Sequence, residues 1–589
     1  MGQRNFSRII CVLIVVTCLS ACSAASGPLT LSEQLETLEE DLRALFETKE
    51  VEKPITLYQA MARALKYNMD HRLAVAEESV ANGNVALARL GMLPSLEMKG
   101  QYIGRNNQSA SSSQSYVTGT QSLESSISTE KHRRTGSLEA SWDILDTGLA
   151  FVESRQETDR ARIAAERRRK VIHNIVQDVR YAYWQAAGAQ EMLAKIDSLT
   201  NKGNAIIENI RKAEDAGVKS PEESLKTQSR LLGTMDELMT MRSQLSFARI
   251  ELASLMNVPP AAAFTLATDA KDLPFKKTAI PGLDVPVRDL EKLALVIRPE
   301  IREESFQKRI AANDISLAVL ETFPGMDILL SQNYDDNKFL AHDKWASFSL
   351  GFTQSLIRLF TLPARLEQAR TKQKLADLKR QALAVAIIAQ VHVADARFGL
   401  SRDRLKLLRR IHAVNEKMAT VARSQKVAET LTEGELLEVE MGLLLSRIRT
   451  YLAFAEMQNA YGQVINSLGL DLLPEEALEK ETDELAGLLQ GSLSRLDKNS
   501  LTDIISHIKE KRKDRGMDVM EAATETEVKN AVQKNGVENP APEAARTASI
   551  PLPPRKPDMA HLARTQPKRK QRDTSFMSFK GLYQEASLQ

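Results

Sequence analysis

The sequence predicts a mainly α chain with membrane β-strands, built as two tandem copies of one unit. Three observations carry this: an internal repeat, alternating stretches of strand length, and helical stretches longer than a compact domain needs. Leu57, Ala64, Leu65, Arg72, Ala81 and Pro94 fall, without a gap, on Val287, Ala294, Leu295, Arg302, Ala311 and Pro324, 230 residues further on. In each copy a helical pattern runs into the proline. An alternating stretch, a polar loop, a second alternating stretch and a very long helical region follow.

The N-terminus reads as an address. Arg4 and Arg8 precede an apolar run from Ile9 to Leu19, too short for a mature membrane span and of the length of a signal-peptide core. The run ends in Leu19-Ser20-Ala21-Cys22, similar to a bacterial lipoprotein signal in which Cys22 becomes the lipidated first residue. An ordinary secretory signal is the alternative. Cys11 and Cys18 lie in the segment removed, so packing rather than disulfides must stabilise the mature chain. Ser23 after the cysteine resembles the outer-membrane form of such signals. Residues 1–21 are thus the expected signal, and 22–53 a lipidated segment whose Leu31, Leu35, Leu38, Leu42 and Leu45 predict an acidic amphipathic helix.

Lys plus Arg is 79 and Asp plus Glu 77, a balance that gives no sign of a nucleic-acid partner. Aromatics at 5% and charged residues at 26% suit long solvated helices. No run of 18 apolar residues follows the signal, so no transmembrane helix is expected. Strands are the only other backbone that can cross lipid with its hydrogen bonds satisfied.

Leu96, Met98, Gly100 and Tyr102 alternate with Glu97, Lys99 and Gln101; Leu138, Ala140 and Trp142 alternate with Glu139, Ser141 and Asp143. In the second copy Met326, Ile328 and Leu330 form one row, and Phe348, Leu350 and Phe352 oppose Ser347, Ser349 and Gly351. Stretches of about 9–11 residues span the apolar layer when tilted. A soluble four-stranded sheet would alternate in the same way. The charged rows and the Ser- and Thr-rich loop from Gly104 to Arg134 favour a wet lumen and an outward-facing loop. Four strands cannot close a barrel, and open edges are not tolerated in lipid. Three chains would supply twelve strands and leave a channel, so a homotrimer is the economical solution.

From Gly148 a helical pattern runs to about Ala216, roughly 100 Å at 1.5 Å per residue. A turn with Ser220-Pro221 as N-cap and first helical position follows. The second copy runs from Pro363 to about Leu431, turns near Thr432 and returns to Leu468-Gly469. Apolar residues three and four apart, such as Ile206, Ile207 and Ile210, mark packing seams. A periplasmic coiled-coil spacer without a pore would show the same helices.

In combination these residues resemble the TolC-like outer-membrane factors. The resemblance rests on Thr56-Leu57 with Ala60, Ala64 and Asn68; on Leu93-Pro94-Ser95-Leu96; and on Trp142 through Gly148. Arg298-Pro299-Glu300-Ile301 and Ser467-Leu468-Gly469-Leu470 extend it into the second copy, covering about residues 54–472. It implies a trimer with a twelve-stranded β-barrel in the outer membrane, standing on a long α-helical barrel that reaches across the periplasm. The implied partners are a periplasmic membrane-fusion (adaptor) protein, an inner-membrane pump or ABC exporter, and outer-membrane lipid. Two departures stand out: Phe360-Thr361-Leu362-Pro363 replaces Asp146-Thr147-Gly148-Leu149, removing a junction glycine, and Glu429 stands where the first turn has Gly217.

The resemblance also places a carboxylate pair after the second tip turn, at Glu435 and Glu438. Three apart, they share a helix face. Six copies on a threefold axis would repel one another, hold cations and constrict the entrance. A solvated acidic face is the alternative, since Glu429, Glu433 and Glu440 are close by. Gly217, Val218, Ser220 and Leu225 of the first tip, and Thr432 and Leu437 of the second, are the expected adaptor contacts.

No catalytic constellation, metal-ligand spacing or phosphate loop is present, so no enzyme activity and no cofactor are expected. The repeats occupy 54–260 and 286–472 with a linker at 261–285. A charged helical extension is expected over 473–518, and a Pro-rich, basic, disordered tail over 519–589. Two functions remain open: a passive export duct of a tripartite efflux pump or type I secretion system, gated at its periplasmic end, and a non-conducting structural lipoprotein.

Overall fold

The computed structural model describes residues 28–46, 54–218, 220–260, 262, 264–267, 273–275, 285–496, 506 and 510. Cys22 and the tail from residue 519 lie outside them. After an N-terminal helix α1 (Leu31–Phe46), whose Leu31, Leu35, Leu38 and Leu42 are exposed, the first copy runs α2 (Leu57–Tyr67), α3 (Met69–Leu90), β1 (Ser95–Gly104) and β4 (His132–Asp143). It ends in α4 (Ile144–Asp215) and α5 (Pro221–Leu255). Between β1 and β4 the expected polar loop folds a small hairpin, β2 (Ser109–Ser111) on β3 (Ser126–Thr129). The second copy repeats this as α6 (Val287–Ile297), α7 (Pro299–Leu320), β5 (Gly325–Asp335), β6 (Lys344–Thr353), α8 (Leu356–Val427) and α9 (Glu433–Leu468). A final helix, α10 (Thr482–Leu496), packs on α2.

The two copies match closely. α2 and α6 each have 11 residues, α3 and α7 each 22, and α4 and α8 each 72. Leu57 and Val287 lie 230 residues apart, but Ile144 and Leu356 only 212. The longer first loop absorbs the difference, so the ungapped repeat stops at the sheet. The strand-to-helix junctions differ from the expectation. α4 begins at Ile144, with Asp143 as N-cap accepting from the N–H groups of Leu145 and Asp146, and Gly148 is an ordinary helical residue. α8 begins at Leu356, so Pro363 lies inside the helix rather than at its start, and Phe360 is the true counterpart of Gly148. Pro363 deprives the Leu359 carbonyl of its helical partner.

Helices α3, α4, α7 and α8 pack side by side next to the sheet; beyond the mid-point the order is α5, α4, α9, α8. α4 and α8 run through both layers. At the mid-point α5 ends where α3 begins, the Asn68 amide donating to the Leu255 carbonyl at 3.2 Å. α9 meets α7 in the same way, Gly469 lying against Arg298 and Pro299. The main core sits here. Trp184 meets Phe454 edge to face at 4.8 Å, the Tyr183 hydroxyl donates to the Ile55 carbonyl, and Leu485, Leu489 and Leu493 of α10 complete it. Towards the tips a second apolar seam joins Met192, Ile196, Leu231, Leu238, Met441 and Ile448. Full burial of one such side chain contributes about 1.5–3 kcal/mol.

Between sheet and mid-point, charges join the helices. Along α4 the residues Asp159, Glu166, His173 and Arg180, seven apart, are all buried. Asp159 meets Arg309, Glu166 meets Arg302 at 3.0 Å, His173 meets Asp471 at 3.3 Å and Arg180 meets Gln458 at 3.2 Å. A buried polar residue at a heptad position fixes register, because slipping one turn strands a charge.

α8 contains an 18-residue window of mean hydropathy 1.4, apolar enough to cross a membrane by length and composition. The window arises because α8 is apolar on two sides, not from an unbroken apolar run. Ile387, Val391, Ala394 and Phe398 face the core, while Val385, Val393 and Leu400 are exposed on the other side.

Candidate functional site

The four long strands form one antiparallel sheet in the order β1-β4-β5-β6. Its register sorts the side chains that alternation had separated. Leu96 lies opposite Ala140, Ala140 opposite Leu330, and Leu330 opposite Phe348; Trp142, Ile328 and Leu350 make a parallel row. One face is therefore apolar across all four strands and exposed, with Met98 at 82% and Phe352 at 70%. The other carries Lys99 between Glu97 (3.2 Å) and Glu139 (2.5 Å), and Asn333 donating to the hydroxyls of Ser331 and Ser347. The outer edges of β1 and β6 pair with no other strand among the described residues. A sheet that is oily on one face, wet on the other and open at both edges matches one sector of a barrel wall.

The helical tips are two hairpins with one stereochemistry. Gly217 takes φ +69° and the Val218 N–H donates to the Ala213 carbonyl; Glu429 takes φ 57° and the Thr430 N–H donates to the Gln425 carbonyl. Both turns thus close α4 and α8 by a Schellman bond. Ser220 and Thr432 then cap α5 and α9, accepting from the N–H groups of Glu223 and Glu435. Glu429 adopts the left-handed conformation without glycine's freedom, at a cost of about 1–2 kcal/mol.

The acidic pair is held within the chain. The Glu435 carboxylate closes a capping box, accepting from the Thr432 N–H (2.9 Å) and hydroxyl (2.6 Å). Glu438 lies 3.6 Å from Arg230 of α5, and Glu440 lies 3.2 Å from Arg423. Arg230 had no marker in the sequence, since only the α5–α9 contact brings it to Glu438. Of the expected tip residues, Val218 and Leu225 are exposed at 78% and 60%. Leu437 is 3% exposed and packs in the apolar seam. It offers no surface to a partner, because the helical period turns it towards α4.

A cavity of about 1050 Å³ lies between α5, α4, α9 and α8. Two ion pairs line it, Arg404 with Glu456 at 2.9 Å and Arg449 with Glu237. Among the described residues no group of three or more His, Cys, Asp or Glu could hold a metal ion.

Residues 60–258 match the family model of the outer membrane efflux proteins. Solved structures agree on the fold over both repeats. The CmeC outer membrane channel of Campylobacter jejuni matches with a TM-score of 0.54 and 12% identity, over 77% of this chain and 93% of its own. The open state of the MtrE outer membrane channel of Neisseria gonorrhoeae matches at 0.53 and 16%, over 70% and 88%. The outer-membrane channel OprN matches at 0.53 and 18%, over 70% and 89%. No curated protein matches the chain in sequence. The TolC-like architecture, long paired helices carrying a four-stranded antiparallel sheet, is the fold of this chain.

Proposed function

We propose that this chain is one third of a passive export duct in the outer membrane. Three copies would close a twelve-stranded barrel around the polar face of the sheet, with α4, α5, α8 and α9 of each copy forming a tunnel across the periplasm. The observation that carries this reading is the sheet: an apolar face, a polar face and two unpaired edges on one rigid helical stem. Lipidation at Cys22 would anchor the assembly. A periplasmic adaptor would dock at the tips through Gly217, Val218, Ser220, Leu225 and Thr432, and an inner-membrane pump or ABC exporter would supply the energy.

At the periplasmic mouth, Glu435 and Glu438 from three copies would limit cation-sensitive leakage. Their contacts to Thr432 and Arg230 support a closed tip in which opening must part Glu438 from Arg230. The test is single-channel conductance of the purified protein in planar bilayers. A small, stepwise, cation-blocked conductance is the expected result. A protein with no barrel signature and no conductance would instead be the structural lipoprotein.

A further inference from the structure

Helix α1 has its own start signal but buries none of its described side chains. Thr30 and Glu33 close a capping box. The Thr30 N–H and hydroxyl each donate to the Glu33 carboxylate at 2.8 Å, and the Glu33 N–H donates to the Thr30 hydroxyl at 3.3 Å. Every residue from Leu31 to Ala44 is exposed, and the stripe Leu31, Leu35, Leu38 and Leu42 runs from 73% at its first member to 47% at its last. Leucines alternately four and three apart make one continuous seam, the pattern that a facing helix covers. A helix of 16 residues draws most of its stability from such packing.

One segment of this same chain fits the seam. Past α10, Leu501, Ile504, Ile505 and Ile508 recur at helical spacing, and residues 509–513 hold four basic residues and one acidic. Ser506 and Glu510, the described residues of this stretch, are helical and exposed. At about 100° per residue they fall on the side away from Leu501 and Ile508. The polar face of α1 is opposite in charge, with Glu33, Glu36, Glu39, Glu40 and Asp41 against Arg43 alone. A helix that lies on a lipid surface carries Lys and Arg on its polar face, which α1 does not. A second α1 would set like charge against like.

The fold also brings the roots of the two segments together. α2 follows α1 in the chain and packs on α10, the Gln59 amide donating to the Asp483 carboxylate at 3.1 Å and Lys66 meeting Glu481 at 3.4 Å. From Asp483 to the end of α10 at Leu496 is about 20 Å at 1.5 Å per residue. The chain from Phe46 to Ile55 can span roughly 30 Å, and that from Leu496 to Leu501 roughly 17 Å. Together these tethers exceed the gap. Each is rooted at the end of its segment nearest the core, Phe46 for α1 and Leu501 for the other, so the two meet antiparallel.

We propose that residues 501–513 cover the leucine seam of α1 as an antiparallel helix, with Ile508 against Leu38 and the basic run beside Glu33 and Glu36. The pair clasps the two sides of the α2–α10 contact, and it does not depend on the chain being a duct.

Disulfide trapping in full-length protein tests the clasp. Leu38→Cys/Ile508→Cys is prepared in detergent as a mixture of isotope-labelled and unlabelled chains, oxidised, digested and read by mass spectrometry. A link within single chains is expected, with none from Glu40→Cys/Ser506→Cys, whose positions face away from the seam on each helix. The three native cysteines all lie at or before Cys22, and the single variants control for them. Equal linking of both pairs, no linking, or links only between labelled and unlabelled chains would overturn the proposal, the last by assigning the seam to a second copy. Trypsin gives a readout without added thiols. Leu35→Asp/Leu38→Asp touches neither apolar core and should speed cleavage between Lys509 and Lys513 about tenfold, since cleavage follows the population of the open segment. Unchanged cleavage in that variant, or wild-type protection that requires added phospholipid vesicles, would refute the pairing, the latter in favour of a lipid-bound helix.

Discussion

Gly469→Ala tests the junction on which the second repeat turns. Gly469 closes α9 at φ +70°, and an added Cβ would lie 2.6 Å from the Arg298 Cα and 3.0 Å from the Pro299 Cδ. Two costs combine. The left-handed conformation costs an L-residue about 1–2 kcal/mol. The contact is with backbone and a proline ring, which cannot swing aside, so α7 must move away from α9 at roughly 1–3 kcal/mol of overpacking strain. Gly217→Ala isolates the first cost, because Gly217 has φ +69° and nothing within 4 Å of an added Cβ. The expected losses are therefore about 2–5 kcal/mol for Gly469→Ala and about 1–2 kcal/mol for Gly217→Ala. Denaturant unfolding of the detergent-purified protein, followed by far-ultraviolet circular dichroism, gives both from midpoints at constant slope. Equal losses would refute the argument, since they would mean that Arg298 and Pro299 yield freely.

Three further predictions follow from the tips and the mid-point. Glu435→Gln/Glu438→Gln should raise single-channel conductance and weaken divalent-cation block; glutamine preserves the capping box at Glu435, so an unchanged channel would exclude the gate rather than reflect a damaged helix. Glu429→Gly should stabilise the second tip by about 0.5–1 kcal/mol, the left-handed cost less glycine's entropy, read as slower protease cleavage at that turn; faster cleavage would contradict it. Burial alone would raise the Asp471 carboxyl, but the hydrogen bond from His173 and the Arg169 guanidinium together hold it below its ordinary 3.8. That stabilisation is present above pH 3.8 and lost as the pH falls through the depressed value. Asp471→Asn should therefore lower stability at neutral pH and match the wild type once both are measured well below 3.8; a difference that persists in strong acid would mean Asp471 acts by packing.

Much of this molecule was legible because its signals are periodic and local. Leu96, Met98, Leu350 and Phe352 announced the apolar face by a two-residue alternation, and the register places them on it. The repeat of Leu57 on Val287 gave the number of units. Ser220-Pro221 and Thr432 gave the turns, since a cap is chosen by its own neighbours. Legibility ended where a residue's role depends on a distant partner. Glu435 and Glu438 read as a matched acidic pair, yet one closes its own helix end and the other faces Arg230, some two hundred residues away in sequence. Leu437 and Leu225 look alike in sequence, but Leu437 is buried in the apolar seam and Leu225 is exposed, a difference set by how the helices pack. Pro363 marked a helix start by local rule; in the fold α8 begins seven residues earlier, where β6 delivers the chain.

The sequence by itself determined the period of every element and the duplication, since hydrophobic spacing is a property of the chain alone. The tertiary structure decided which charges meet, that Glu429 must take a glycine's conformation, and where the 230-residue repeat becomes one of 212. Those depend on distances through space, and helices of 72 residues bring together side chains that no local window of sequence contains.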